Sequence, residues 1–118
     1  VSGDYYVGGV VGYNSDGSVT NCYNTAAVSG TLYTGGVVGK NSDGSVTNCY
    51  WVDVADGNAS AGVGYGTDDT TKKGADEMQA ESFAQLLNTN AQSITGACAW
   101  VDNSLASGYP TLDFEAAE

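Results

Sequence analysis

Residues 8–23 read GGVVGYNSDGSVTNCY, and residues 35–50 read GGVVGKNSDGSVTNCY. The two copies differ only at Tyr13 against Lys40. Extended to a full period, 1–27 and 28–54 share nineteen of twenty-seven positions without a gap. Self-similarity at a fixed period is the signature of repeat architectures, in which stacked units share a core that none could build alone.

Inside each unit, the β-rich runs YVGGVVG (or YTGGVVG) and SVTNCY flank the turn dipeptides Asp16-Gly17 and Asp43-Gly44. This is the composition of short strands and tight turns. No apolar stripe at a 3.6-residue period runs through these units, so helical repeats are excluded. The glycines extend the pattern to a third, drifted unit, ADGNASAGVGYG: Gly3, Gly30 and Gly57 keep one spacing, as do Gly8, Gly35 and Gly62, and Gly12, Gly39 and Gly66. Those positions are expected to need positive φ or close backbone approach.

The expected fold class is all-β, a β-solenoid (β-helix) of about three 27-residue coils at 1–27, 28–54 and a degenerate 55–69. In such a stack, equivalent residues lie about 4.8 Å apart. Val10 then meets Val37, Val11 meets Val38, Val19 meets Val46, Asn21 meets Asn48 and Tyr23 meets Tyr50, like on like. Tyr13 and Lys40 differ because their position is expected to face solvent, where no ladder is required.

From 70 to 118 the character changes. The sequence predicts a C-terminal capping segment with one short helix near 77–88, started by a capping box of Asp76 and Gln79 and carrying Phe83, Leu86 and Leu87 on one face. The closing stretch ACAWVDNSLASGYPTLDF adds Trp100, Tyr109, Leu112 and Phe114, with Pro110 suited to a strand start or edge. A solenoid end exposes strand edges, and this segment is expected to cover one. Val1 opens directly in repeat phase, so the first coil is expected to be covered by earlier coils of a longer chain or by another copy.

Composition narrows the function. Fourteen acidic residues stand against three lysines, with no Arg and no His, for a net charge of −11. Phosphate neutralisation needs a basic surface, so nucleic acid is excluded as a partner. Val, Ile, Leu and Phe make up under a fifth of the chain, a composition that without a repeat would suggest disorder. There is no charged-then-apolar signal segment, and no apolar run approaches the roughly 20 residues of a membrane helix.

Candidate sites divide between chemistry and structure. Cys22 and Cys49 hold one repeat position, and Cys98 stands alone; parallel stacking favours free thiols over a bridge, which wants Cβ atoms nearer about 3.8 Å. The NSDGS loops at Asn14 and Asn41 carry oxygen donors of the kind calcium takes, yet each has one carboxylate followed by a turn glycine. Tyr6 with Tyr33, Tyr23 with Tyr50, and Trp51 in place of Asn24 offer aromatic ladders that, where exposed, stack on sugar rings. Asp68 with Asp69, or Asp76 with Glu77, are carboxylate pairs without the spacing that selects glycoside chemistry. Asn58-Ala59-Ser60 is a glycosylation sequon. Without His, Arg, HExxH, GxSxG or a P-loop, no catalytic, cofactor-binding or metal-ligating residues and no cofactor are expected.

The run GGVVGYNSDGSVTNCYNTAAVSG and its second copy resemble the GLUG-motif repeats of large secreted or cell-wall-attached bacterial proteins, and EMQAESFAQLLN with a late Trp and GYPTL is similar to the segment that closes such arrays. The resemblance implies an extracellular or cell-surface, adhesin-like, non-catalytic structural or adhesive module. It also leaves open a self-assembling filament subunit, or an accessory domain beside the catalytic domain of an IgA-specific metalloendopeptidase. The implied partners are neighbouring coils, a second copy, or a surface protein or glycan, with no membrane insertion in this piece.

Overall fold

A computed structural model describes residues 1–52, 57–94, 97, 99–106 and 108–113. Cys98 and Phe114 lie outside them. The chain divides into two compact units, Val1–Lys73 and Gly74–Glu118.

In the first unit, β1 (Tyr5–Gly8), β2 (Val11–Ser15), β3 (Ser18–Thr20) and β4 (Tyr23–Asn24) come from the first repeat. Their counterparts in the second are β5 (Leu32–Gly35), β6 (Val38–Ser42), β7 (Ser45–Thr47) and β8 (Tyr50–Val52), followed by β9 (Val63–Tyr65) and β10 (Thr71–Lys73). Each strand of the first repeat runs parallel to its counterpart twenty-seven residues on: Tyr5 opposite Leu32, Val11 opposite Val38, Val19 opposite Val46 and Tyr23 opposite Tyr50. The register continues through the turns, where the Asp16 N–H donates to the Ser42 carbonyl at 3.0 Å and the Asn21 N–H to Thr47 at 3.2 Å. The repeats are alike because each backbone is the template for the next, and identical side chains stack without a change of shape.

The core of this unit is Val19, Val37, Val38, Val46, Cys49, Trp51 and Val63, with Val11 and Cys22 packed against it. Burying each valine contributes on the order of 1.5–3 kcal/mol. Identical letters do not have identical surroundings: Val37 is wholly buried, whereas Val10, its equivalent, is 42% exposed. Val37 receives hydrogen bonds from the first repeat and donates its own N–H to Gly62. Val10 lies on the outer side of the stack, where β2 pairs only with β6.

Among the described residues, the left-handed backbone positions expected of glycine belong to other residues, Tyr6, Asp16 and Asn21 and their equivalents Tyr33, Asp43 and Asn48, while Gly66 is the one glycine with positive φ. Glycine serves close approach instead. A Cβ on Gly36 would sit 2.6 Å from the Trp51 ring, nearer than two carbons can come.

The third unit corrects the constant period. Val38 pairs with Val63 and Lys40 with Tyr65, twenty-five residues on, and Tyr50 pairs with Thr71, twenty-one on. Gly39 therefore faces Gly64, with a Cβ on Gly64 falling 2.6 Å from the Gly39 carbonyl, and the gapless match to Gly66 does not hold. The reason is a shortened corner. Between Tyr65 and Thr71 there is no counterpart of β3 and β7, and the Asp68 carboxylate closes the gap by accepting the N–H groups of Val63 at 3.2 Å and Thr70 at 2.9 Å. β10 extends this unit through Lys73, beyond the expected boundary at 69.

The second unit holds α1 (Ala75–Met78), α2 (Glu81–Ala91), a 3-10 turn at Ser104–Ala106, and β11 (Ala99–Val101) paired antiparallel with β12 (Thr111–Asp113). The single expected helix is two, because Ala80 is extended at φ −83°, ψ 153°. Glu77, rather than Gln79, reaches back to the helix start, accepting the Gly74 N–H at 3.2 Å. Met78, Phe83, Ala84 and Leu87 are buried, and Pro110 immediately precedes β12. The Asn88 carboxamide clasps the Trp100 peptide, accepting its N–H at 2.7 Å and donating to its carbonyl at 3.0 Å. The protein is thus mostly β, with two short helices and small sheets of two or three strands. Among the described residues no helix is long and apolar enough to cross a membrane.

Candidate functional site

The outer face of the first unit gathers tyrosines around one cation. In a regular strand, successive side chains alternate between faces. Tyr6 breaks that rule with φ 53°, and Tyr33 repeats the break with φ 55°. Tyr5 and Tyr6 are consequently both exposed while Val7 is buried. Holding a bulky side chain in the left-handed region costs about 1–2 kcal/mol per residue, a strain found where function or tight geometry requires it. Here it brings Tyr6 and Tyr33 onto one another, with ring centroids 5.4 Å apart and planes 14° from parallel.

Beside this pair runs a second column across three paired strands: Tyr13 on β2, Lys40 on β6 and Tyr65 on β9, set by the strand register. Tyr6 meets Tyr13 edge to face at 5.4 Å, and Tyr33 meets Tyr65 at 5.2 Å. Lys40 lies between them. Its Nζ is 5.8 Å from the ring centroid of Tyr6, 5.5 Å from Tyr13, and 5.3 Å from both Tyr33 and Tyr65. Each such contact at an exposed site is worth about 0.5–1 kcal/mol through the ring quadrupole. Among the described residues no carboxylate pairs with Lys40. Tyr13 and Lys40 do lie towards solvent, Tyr13 exposed and Lys40 half-buried, and their difference has a positive cause: alternating ring, cation and ring in one column replaces like on like.

Tyr65 was missed because a constant period sets it opposite Val38. The tripeptide Val-Gly-Tyr at 63–65, identical to 11–13, carried the signal once a two-residue deletion is allowed.

The other candidates have structural duties. Asn14 donates to the Gly17 carbonyl at 3.1 Å and to Asn41 Oδ1 at 2.9 Å, and Asn41 donates to Gly44 at 2.9 Å, so the NSDGS loops hold their own turns and stack through their amides. Trp51 is buried in the core, Tyr50 is buried and Tyr23 half-buried. Lys72 and Lys73 lie 5.8 Å from the ring centroids of Trp51 and Tyr50. Asn58 pairs with the Gly30 backbone through both ends of its amide, at 3.0 and 2.8 Å, which gives it a structural duty in the fold. Asp68 and Glu77 are committed to backbone N–H groups as described.

Cys22 and Cys49 are free thiols. Each donates to the carbonyl two residues before it, Thr20 and Thr47, at 3.2 Å. Hydrogen bonding between the two thiols lowers Cys22 to about 7 and, together with burial, pushes Cys49 far up. One proton leaves the stacked pair readily, and the proton that remains stabilises the Cys22 thiolate and is held.

Two consecutive stretches, residues 3–29 and 30–50, match the family model described as the GLUG motif. The repeats are GLUG motifs. The boundary between the two GLUG motifs falls between Ser29 and Gly30, beside the bridge that pairs Ser2 with Ser29. Tyr6, Tyr13, Tyr33 and Lys40 all lie inside the motifs, while Tyr65 lies outside them. No curated protein and no solved structure matches the chain.

Proposed function

We propose that this is a non-catalytic structural and adhesive module of a large secreted or cell-surface protein, in which GLUG repeats stack as a short β-solenoid and display an aromatic face. The supporting observation is the coil-on-coil register of Val11, Val38 and Val63, which presents Tyr13, Lys40 and Tyr65 as one column on the outside. A stack of this kind gains stability with each unit, since every added coil buries a neighbour's face. Inserting one further copy of residues 28–54 between the two repeats should raise the thermal midpoint and add a full coil of amides protected from exchange. An inserted copy that exchanges freely, with an unchanged midpoint, would sink the solenoid reading.

A second reading, a filament subunit, draws on the outer edges of β1 and β3 and the exposure of Val10. An unpaired strand edge is a template for another chain. Light scattering should then show mass rising with concentration, and a strictly monomeric profile at high concentration would remove this reading.

A further inference from the structure

The geometry points to a carboxylated sugar, a uronate unit of an acidic polysaccharide, as the ligand of the face built by Tyr6, Tyr13, Tyr33, Lys40 and Tyr65. Three observations converge on it. The first is the ring arrangement: Tyr6, Tyr13 and Tyr65 are exposed, Tyr65 by 56%, and their rings, with that of Tyr33, stand within 5.8 Å of the Lys40 ammonium. The polarised C–H bonds of a pyranose fit the negative face of an aromatic ring, and phenol hydroxyls supply hydrogen bonds to its substituents. The second is the cation. Lys40 is the one basic residue in 1–52 and, among the described residues, has no carboxylate partner, so its charge is available to a carboxylate from outside. The third is strain: two tyrosines held at positive φ in successive coils keep the platform in place before any ligand arrives.

The rest of the charge decides how such a polymer binds. On a chain of net charge −11, a polyanion is repelled by the surface as a whole, though charges beyond about 8 Å are largely screened at physiological salt. Binding is therefore local, with one carboxylate at Lys40 and neighbouring sugar rings along the column, which spans about 10 Å over three coils. Nucleic acid, needing many cations at phosphate spacing, is not accommodated.

Such binding presupposes the adhesive module proposed above, and its failure can be told apart from a failure of the stack. The test is titration of the 118-residue chain with polygalacturonate, with fully methyl-esterified pectin, with dextran and with poly-glutamate, followed by calorimetry. Lys40→Gln and Tyr65→Ala are measured alongside, with circular dichroism and thermal midpoints for each. Saturable binding to polygalacturonate is expected, with about tenfold loss on methyl esterification and in Lys40→Gln, a severalfold loss in Tyr65→Ala, and no binding to dextran. Equal affinity for the esterified polymer, equal affinity for poly-glutamate, or no binding to polygalacturonate by a chain with intact β signal would each overturn the uronate assignment. Loss of the β signal in the unsubstituted chain would instead count against the stack itself.

Discussion

Nδ2 of Asn14 lies 2.9 Å from Oδ1 of Asn41, a buried hydrogen bond between side chains twenty-seven residues apart. It ties two GLUG repeats together at the turn that each amide also closes on its own. Asn41→Ala removes the acceptor for Asn14 and the donor to Gly44 in one step. The unfolding free energy should fall by roughly 1–3 kcal/mol, read from the urea midpoint at an unchanged slope. A change below about 0.5 kcal/mol, the level of an ordinary surface substitution, would show that the ladder carries no stability.

The unequal burial of Val10 and Val37 makes a paired test. Val37→Ala should cost about 2–3 kcal/mol through lost burial and the cavity left behind, whereas Val10→Ala should cost about 0.5 kcal/mol or less. Equal costs for these identical residues would mean that the first coil is covered in solution.

At Gly36 the expected cost is one of excess. Alanine there presses a methyl into Trp51, and overpacking of this kind costs about 1–3 kcal/mol. Tryptophan emission should shift to the red as the indole is displaced, in step with a lowered thermal midpoint; unaltered emission with an unaltered midpoint would contradict the packing described.

The thiol pair predicts a pH dependence with a definite sign. Cys22 ionises at about 7 in the fold, against an ordinary thiol value of 9.0, while Cys49 is held protonated beyond that range. Between those two values the folded pair has released a proton that the unfolded chain retains, so stability rises with pH; above 9.0 the unfolded chain loses both protons while Cys49 keeps its own, and stability falls. In a Cys98→Ser background, thiolate absorbance should show one ionisation near 7, and iodoacetamide at pH 8 should label Cys22 more than about tenfold faster than Cys49. Two ionisations near 9 would refute the coupling.

Much of the first unit was legible because a repeat states its own register: Val11 opposite Val38 and Tyr23 opposite Tyr50 follow from the letters alone. The third unit was not, since the period was carried on glycines, and glycine marks close approach without saying how many residues separate one strand from its partner. Asp68, whose backbone contacts close the short corner, looked like any solvated acid. The Tyr6 platform was half legible: the ladder with Tyr33 follows from the repeat, whereas the left-handed φ that turns both rings outward has no signature in a tyrosine. In the second unit, the apolar positions Phe83 and Leu87 were read correctly, and the break at Ala80 was hidden because alanine is a good helix former.

The shortened third unit also makes the two sides of the parallel strand pairing unequal. Two repeats of equal length present each other with matching outlines along β1–β4. On the other side the chain reaches Thr71 six residues sooner than the template would bring it there, and the contour contracts. A twenty-seven-residue coil laid on β9 and β10 would overhang its support along the missing corner. If the repeats stack as proposed, a further twenty-seven-residue unit would match the outline of one side and not of the other.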